Sequence, residues 1–544
     1  MGDRIADSLH VATALIRAGV AKPSRPDRSL RALWGLRRWG PTLAAGYLGA
    51  AARYPGAAAI ADELGVLTFA DVEARTNALA RGLSDHGVQE GDRIALMCRN
   101  HRWFIEASVA CAKLGAHAVY LNTAFAGPQL TAVLGSENPA AVIYDQEFTS
   151  ALEPAFAGRL GFLAWRDGTT DAGHGGLGGS AGVDHPTLEE VIDGRMVAPL
   201  TPPTDPGRTV ILTSGTTGTP KGANRASPGS LGPAAALLSA IPLRARETTV
   251  IAAPMFHSWG FAHMFLSTAL SSTLVLRRRF DPADTLRAIA EHRASALIVV
   301  PVMLARMLEL GADAVSAYEL SSLRLIAASG SALPGPLAQD VMDVFGEKLY
   351  NLYGSTEVAW ATVASPQDLR AAPGTAGRPP RGTVVKILDP ESHLLPAGVS
   401  GRIFVGSEML FEGYTGGGDK LRLGDLMSTG DMGHFDDRGR LFVDGRDDDM
   451  IVSGGENVFP SEVENLLAAL PGIREVAVVG VPDPEFGQRL RAVVALEREA
   501  TLTERELQDH VRRNLARYKV PREVRFVDEL PRNATGKVLK RELV

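Results

Sequence analysis

Short apolar runs separated by helix-length stretches recur along this 544-residue chain, and few folds accommodate that rhythm. Phe69 to Leu83 has helical spacing, and Gly87 and Gly91 then punctuate the chain. Arg93–Met97 reads as a strand, Trp103–Leu114 as a helix and Ala118–Leu121 as the next strand. Strand, helix, strand at such spacing predicts βαβ units and a largely parallel sheet. Thr209–Leu212, Thr249–Ala253, Ala296–Val300 and Leu323–Ala327 extend the pattern. From Gly382 the texture changes to short strands with Gly and Pro turns, such as Val384–Leu388 and Arg402–Val405. Beyond Asp448 it is mixed: helix Ser461–Leu470, strands Glu475–Val481 and Leu490–Leu496, helix Glu504–Leu515. A chain of this length is too long for one core. The expectation is a large α/β N-terminal domain over residues 1–447, with a β-rich subdomain at 383–446. A small α+β C-terminal domain would fill 448–544.

Within the α/β part, strand Thr209–Leu212 delivers the segment Thr213–Gly222, TSGTTGTPKG. A Walker loop needs its lysine directly after glycine and a metal-binding hydroxyl after the lysine. Here Pro220 precedes Lys221 and Gly222 follows it, so that reading fails at two positions. The segment still crowds hydroxyl donors (Thr213, Ser214, Thr216, Thr217, Thr219) among Gly215, Gly218 and Gly222. Such a loop can converge backbone N–H groups on an anion, with Lys221 as a point charge. The alternative is a polar hairpin turn with a solvated lysine.

Composition narrows the function classes. Net charge is −6, which argues against a general nucleic-acid binder. Two cysteines, Cys98 and Cys111, exclude a disulfide scaffold or a cysteine zinc cluster. No apolar run reaches the length of a membrane span, and the N-terminus lacks a convincing signal peptide, so a cytoplasmic protein is expected. One local departure is Lys22, Arg25, Arg28, Arg31, Arg37 and Arg38 against the single acid Asp27, interleaved with Leu30, Leu33, Trp34 and Leu36. Residues 22–40 could lie on an anionic membrane at the inner face. The favoured expectation is a surface helix that packs its leucines on the body of the protein. The glycine-rich Asp167–Thr187 reads as a surface excursion, and its His174 and His185 have no metal-ligand spacing to a partner.

Four more segments bear on the phosphate-loop reading: NLYGSTE (Asn351–Glu357), STGD (Ser428–Asp431), GRDDD (Gly445–Asp449) followed by MIVSGGENVFPSEVE, and PRNATGKVL (Pro531–Leu539). Tyr353 can stack on a nucleobase. Glu357 offers the hard oxygen that magnesium prefers. Asp431 can accept from ribose hydroxyls, and Arg446 offers a fork of donors to sugar or phosphate. Each has an ordinary alternative as a core tyrosine, a capping acid or a surface arginine.

With TSGTTGTPKG these segments, in this order, resemble the adenylate-forming superfamily, which includes acyl-CoA synthetases, peptide-synthetase adenylation domains and beetle luciferases. The likeness runs from about Leu67 to Val544 and is nearest to bacterial fatty acyl-CoA synthetases. It implies ATP, Mg²⁺ and CoA as cofactors and a two-step reaction through an acyl-adenylate. By resemblance Thr213, Ser214, Gly215, Thr216, Thr217 and Lys221 hold the phosphates, and Glu357 with Thr217 holds Mg²⁺. Gly330, Ser331 and Ala332 of SGSALP would border the adenine with Tyr353, beside Asn351, Gly354 and Thr356. Asp431 and Arg446 would bind ribose. Lys537 would reach from a mobile tail to the carboxylate and α-phosphate, with Asp448 as hinge. Gly454, Gly455 and Glu456 would flank a tunnel for the CoA arm. The acyl site would be lined by His257, Trp259, Phe261, Gly354 and Val358, and the catalytic set would be Lys537, Lys221, Glu357, Thr356 and His257.

PMFHSWG (Pro254–Gly260), with NLYGSTE and SGGENVFPSEVE, resembles the fatty acyl type, so the implied partners are a medium- or long-chain fatty acid, ATP and CoA. A homodimer is compatible with the sequence. Two departures, Ala223-Asn224-Arg225 after Gly222 and Arg402 where Glu is usual, leave the subfamily open. Two other readings stand beside the ligase: an acyl-adenylate ligase that serves a carrier protein, and a luciferase-like oxidoreductase. The uninterrupted run Gly445–Glu464 lacks the insertion that usually accompanies the first.

Overall fold

A computed structural model describes residues 2–20, 25–125, 127–156, 158–166, 168, 185–213, 221–225, 230–447, 451–453, 456–483, 487–533 and 536–544. The chain divides into two compact units. The first comprises Met1–Val299, Leu310–Ala327 and Glu408–Asp419; the second comprises Val300–Glu309, Ala328–Ser407 and Lys420–Val544.

The first unit holds two sheets of the parallel βαβ kind. In one, strands run in the order Gly413–Tyr414, Lys221–Arg225, Thr209–Thr213, His117–Tyr120, Arg93–Met97, Ala141–Asp145, Leu160–Trp165. The five strands from Thr209–Thr213 to Leu160–Trp165 are mutually parallel. Ala141–Asp145 is buried at every residue, as expected of a parallel strand covered on both faces. The intervening helices carry clear end signals. Phe69–Asp85 begins with a reciprocal capping box between Thr68 and Asp71, and Arg102–Leu114 ends at Gly115 in the left-handed region. In the second sheet Ala296–Val299 and Thr273–Leu276 flank Thr248–Ile251 in parallel, and Ala58–Asp62 continues beside Thr273–Leu276.

Three helices precede the first strand: α1 (Gly2–Arg17), α2 (Pro26–Trp39) and α3 (Leu43–Arg53). The expected packing of the α2 leucines does not hold. Leu30, Leu33 and Trp34 are 66%, 63% and 57% exposed. The buried positions are Gly35 and Trp39, with Ala32 half-buried: α2 meets α3 through Trp39, which clusters with Ala44, Ala45 and Leu48, and through the small residues Ala32 and Gly35. A Cβ on Gly35 would lie 3.0 Å from Leu48 Cδ2, and one on Gly49 would lie 3.8 Å from Ala32 Cβ. The Leu48 side chain fills the space over Gly35 and leaves no room there for a second leucine, and Leu30, Leu33 and Trp34 fall on the other face.

The second unit contains a hairpin, Leu349–Tyr353 with Thr362–Ala364, in which Tyr353 pairs with Thr362. Its β-rich part is an antiparallel sheet ordered Val384–Leu388, Gly401–Gly406, Leu426–Phe435, Arg422–Leu423, with Leu441–Arg446 also on Leu426–Phe435. The C-terminal part is α+β. The long antiparallel pair Ile473–Asp483 and Gly487–Leu496 packs Val478, Leu490 and Ala492 against Val463 and Leu467 of helix Pro460–Ala468 and Leu507 and Val511 of helix Glu504–Asn514.

Candidate functional site

Thr213 and Lys221 stand opposite each other as the last pair of an antiparallel ladder, next to the segment that joins its two strands. Ser214, Gly215, Thr216 and Thr217 lie between them, outside the described residues. Lys221 is exposed, with its ammonium 5.5 Å from the centroid of the Tyr414 ring. Gly222 has a packing reason for being glycine: a Cβ there would sit 2.6 Å from Glu137 Oε1 and from Thr415 Oγ1. The segment leading to Thr415, whose N–H donates to Gly222 O, borders strand Lys221–Arg225 on its outer side.

In the second unit, three motifs that lie far apart in sequence converge. Asp431 and Arg446 are direct partners across strands Leu426–Phe435 and Leu441–Arg446, so both side chains leave the same face of the sheet. Arg446 Nη1 is 3.8 Å from Asp431 Oδ1. The Tyr353 hydroxyl, from the end of the hairpin strand, donates to Asp431 Oδ2 at 2.6 Å. One carboxylate oxygen is thereby oriented while acceptor capacity remains on the other. Burial pushes the Asp431 carboxyl above the ordinary carboxylate value, against the opposing pull of the Tyr353 hydroxyl and the Arg446, Lys537 and Lys420 charges. Burial and the Asp431 charge together hold the Tyr353 phenol well above its usual value, so it is a hydrogen-bond donor at all physiological pH.

Lys537 belongs to this field from the far end of the chain. Its loop closes on itself: Asn533 N–H donates to Lys537 O, and Lys537 N–H donates to Asn533 Oδ1, both at 2.9 Å. Gly536 turns the loop at φ 77°, and a Cβ on it would lie 2.2 Å from Val302 Cγ1. Val300, at the start of the same segment, also approaches Gly330, where a Cβ would meet its Cγ1 at 3.2 Å. Gly330 (φ 96°), half-buried Ser331 and exposed Ala332 therefore form a turn on the same Val300 side chain that the tail loop approaches.

Around NLYGSTE, Asn351 is buried with Oδ1 lacking a hydrogen-bond partner among the described residues, and Glu357 is 9% exposed. Ser355 Oγ accepts from the Glu357 N–H at 3.3 Å, turning the chain at Thr356. Gly354 cannot carry a side chain, since its Cβ would be 2.2 Å from Ala359 O. Val358 is fully buried. Asp448, Gly454 and Gly455 lie outside the described residues, as does the side chain of Glu456.

Back in the first unit, His257 precedes helix Ser258–Leu270. The residue is half-buried, yet its Nε2 is sealed from solvent with no partner among the described residues, and burial lowers its pKa to about 4. Trp259 Nε1 donates to Val299 O at 3.0 Å, and its ring meets His263 edge-on at 4.3 Å. Burial takes His263 down to about 3. Phe261 lies 5.1 Å from the Tyr120 ring. Both imidazoles are neutral, and the surroundings are aromatic.

Sequence reasoning missed Lys420 and His263. Lys420 sits in a glycine-rich stretch with no motif, whereas His263 was detectable as the residue one helical turn after Trp259. Cys98, His101 and Asp145 come close enough to suggest a metal site. However, His101 Nε2 is bonded to Asp145 Oδ1 at 2.8 Å, and Arg278, 3.7 Å from Asp145 and over the Trp165 ring, already supplies the cation. That group is a structural network.

Comparison with known proteins identifies two family models in the chain: AMP-binding enzyme over residues 49–415 and AMP-binding enzyme C-terminal domain over 462–537. A feruloyl-CoA synthase from Amycolatopsis sp is 33% identical over 88% of this chain and 93% of its own length. A long-chain-fatty-acid–CoA ligase of Mycobacterium tuberculosis is 30% identical over 87% and 92%. ATP-bound MatB from Rhodopseudomonas palustris superposes with a TM-score of 0.78 at 28% identity, covering 90% of this chain and 95% of that one.

Proposed function

This chain belongs to the AMP-binding enzyme family, and we propose that it is an AMP-forming ligase converting a medium- or long-chain fatty acid to its CoA thioester. The observation that carries the reading is the Tyr353–Asp431–Arg446 cluster under the charge of Lys537, which unites three of the motifs. In the first step a carboxylate oxygen of the acid attacks the α-phosphorus of ATP, and pyrophosphate leaves. In the second, the CoA thiol attacks the acyl carbonyl, the thiol proton is lost and AMP departs.

Asp431, held by Tyr353, would accept from the ribose hydroxyls, with Arg446 donating beside it. Tyr353 and the Gly330–Ala332 turn would flank the base. Lys221 would neutralise phosphate charge. Glu357 suits Mg²⁺ because its nearly buried carboxylate is a hard oxygen donor; the bound ion would screen the phosphates. Lys537 would place an ammonium where negative charge builds in the first step, and the tail, residues 448–544, would then move away to admit the thiol.

The fatty reading rests on the acyl residues. Neutral His257 and His263 beside Trp259 and Phe261 give no charge to hold an amino acid's α-amino group. An aryl acid is the second reading, favoured by the same aromatic rings and by the feruloyl-CoA synthase relative. Pyrophosphate release across aliphatic and aromatic acids, with and without CoA, separates them. Each methylene buried is worth ~0.8 kcal/mol, so kcat/KM should rise about fourfold per added methylene along the aliphatic series. A series flat in chain length, with ferulate preferred, would transfer the assignment to aryl acids. Acyl-AMP without thioester would point to a carrier-protein acceptor.

A further inference from the structure

We infer that the outer face of α2 is a docking surface for an anionic lipid bilayer. The face is a helical stripe: Leu30, Leu33, Trp34 and Arg37 recur at i, i+3, i+4 and i+7, and all four are exposed. Its opposite side, Ala32, Gly35 and Trp39, is the side spent on α3. The helix is therefore held in place by one face and presents the other.

Charge selects the occupant. Between Arg25 and Arg38 the helix region carries five arginines against one aspartate, in a chain whose net charge is −6. Arg25 and Arg31 pair with Asp27, at 3.3 and 2.8 Å, and Arg28 donates to Arg53 O. Arg37 and Arg38 lie at the far end, with the Arg38 guanidinium 4.8 Å from the Trp34 ring centroid. A cation resting on an amphipathic indole, next to two bare leucines, is the chemistry of a headgroup–acyl boundary. Duplex DNA offers the charge but no apolar phase for Leu30, Leu33 and Trp34. No helix among the described residues is long and apolar enough to cross a membrane, so α2 would lie in the plane of the surface.

The test uses the full-length protein in flotation with vesicles of phosphatidylcholine alone or mixed with phosphatidylglycerol. Wild type should float with the anionic vesicles at low salt, and increasing salt should weaken it. Arg37→Gln and Arg38→Gln should each weaken partitioning on the order of fivefold. Leu33→Ser with Trp34→Ser should weaken it on the order of tenfold or more. Because all these positions are exposed, the melting temperature and turnover of a short acid should stay unchanged. Equal flotation with neutral vesicles, no flotation of wild type, or variants that float like wild type would each overturn the proposal. So would a wild-type dimer that the Leu33→Ser/Trp34→Ser protein fails to form, which would give the face to a second copy of the chain.

Discussion

His263 is packed edge-on against Trp259 with its Nε2 sealed from solvent, and burial takes its pKa from 6.5 to about 3. Between those two values the unfolded chain binds a proton that the native imidazole does not. Its contribution to stability is therefore complete above pH 6.5 and is lost as pH falls toward 3. At pH 5 the loss is about 2 kcal/mol. Urea midpoints at pH 7 and 5 should show this drop in wild type and a smaller one in His263→Gln; equal drops would show that His263 titrates normally. The role of such a residue was hard to read from sequence because a histidine on an apolar helix carries no motif. Tyr353, Asp431 and Arg446 were legible for the opposite reason: each sits in a short polar string whose order along the chain is distinctive. Sequence did not show that Tyr353 donates to Asp431, since 78 residues separate them and they lie on strands of two different sheets.

At the scale of elements, regular structure was read well where burial sets the period. Arg93–Met97 and Val384–Leu388 coincide with their expected spans, and most others shift by one to three residues. Helix α2 departs from the expected packing because Leu30, Leu33 and Trp34, its most apolar stripe, face solvent. The face of α2 turned to α3 is Ala32, Gly35 and Trp39, with Leu48 of α3 seated over Gly35, and a face with one large residue among small ones leaves little hydrophobic signature. Gly536 is a related case. Its left-handed φ and the nearness of Val302 both exclude a side chain, yet the sequence shows only an ordinary loop glycine. Gly536→Ala should push the tail loop off Val302 and lower acyl-AMP formation about tenfold or more, leaving the α+β fold of the tail intact by circular dichroism. Unchanged adenylation would mean that the loop's seat on Val302 has no bearing on Lys537.

For the whole molecule, the composition and the recurrent βαβ rhythm led correctly to a multi-part α/β chain with a β-rich region and an α+β tail. Chain distance hid the grouping of these parts: residues 420–544 associate with 328–407 as one compact unit, and within it the Lys537 charge favours the Asp431 carboxylate. On the proposed mechanism the tail supplies a cation for adenylation alone. The most direct test of this is Lys537→Ala measured in the two half-reactions separately. Acyl-AMP formation, followed by pyrophosphate release, should fall by about 10²–10³, the range for loss of one preorganised charge at a developing anion. Thioester formation from synthetic acyl-AMP and CoA should remain near wild type. Equal losses in both half-reactions would contradict the claim.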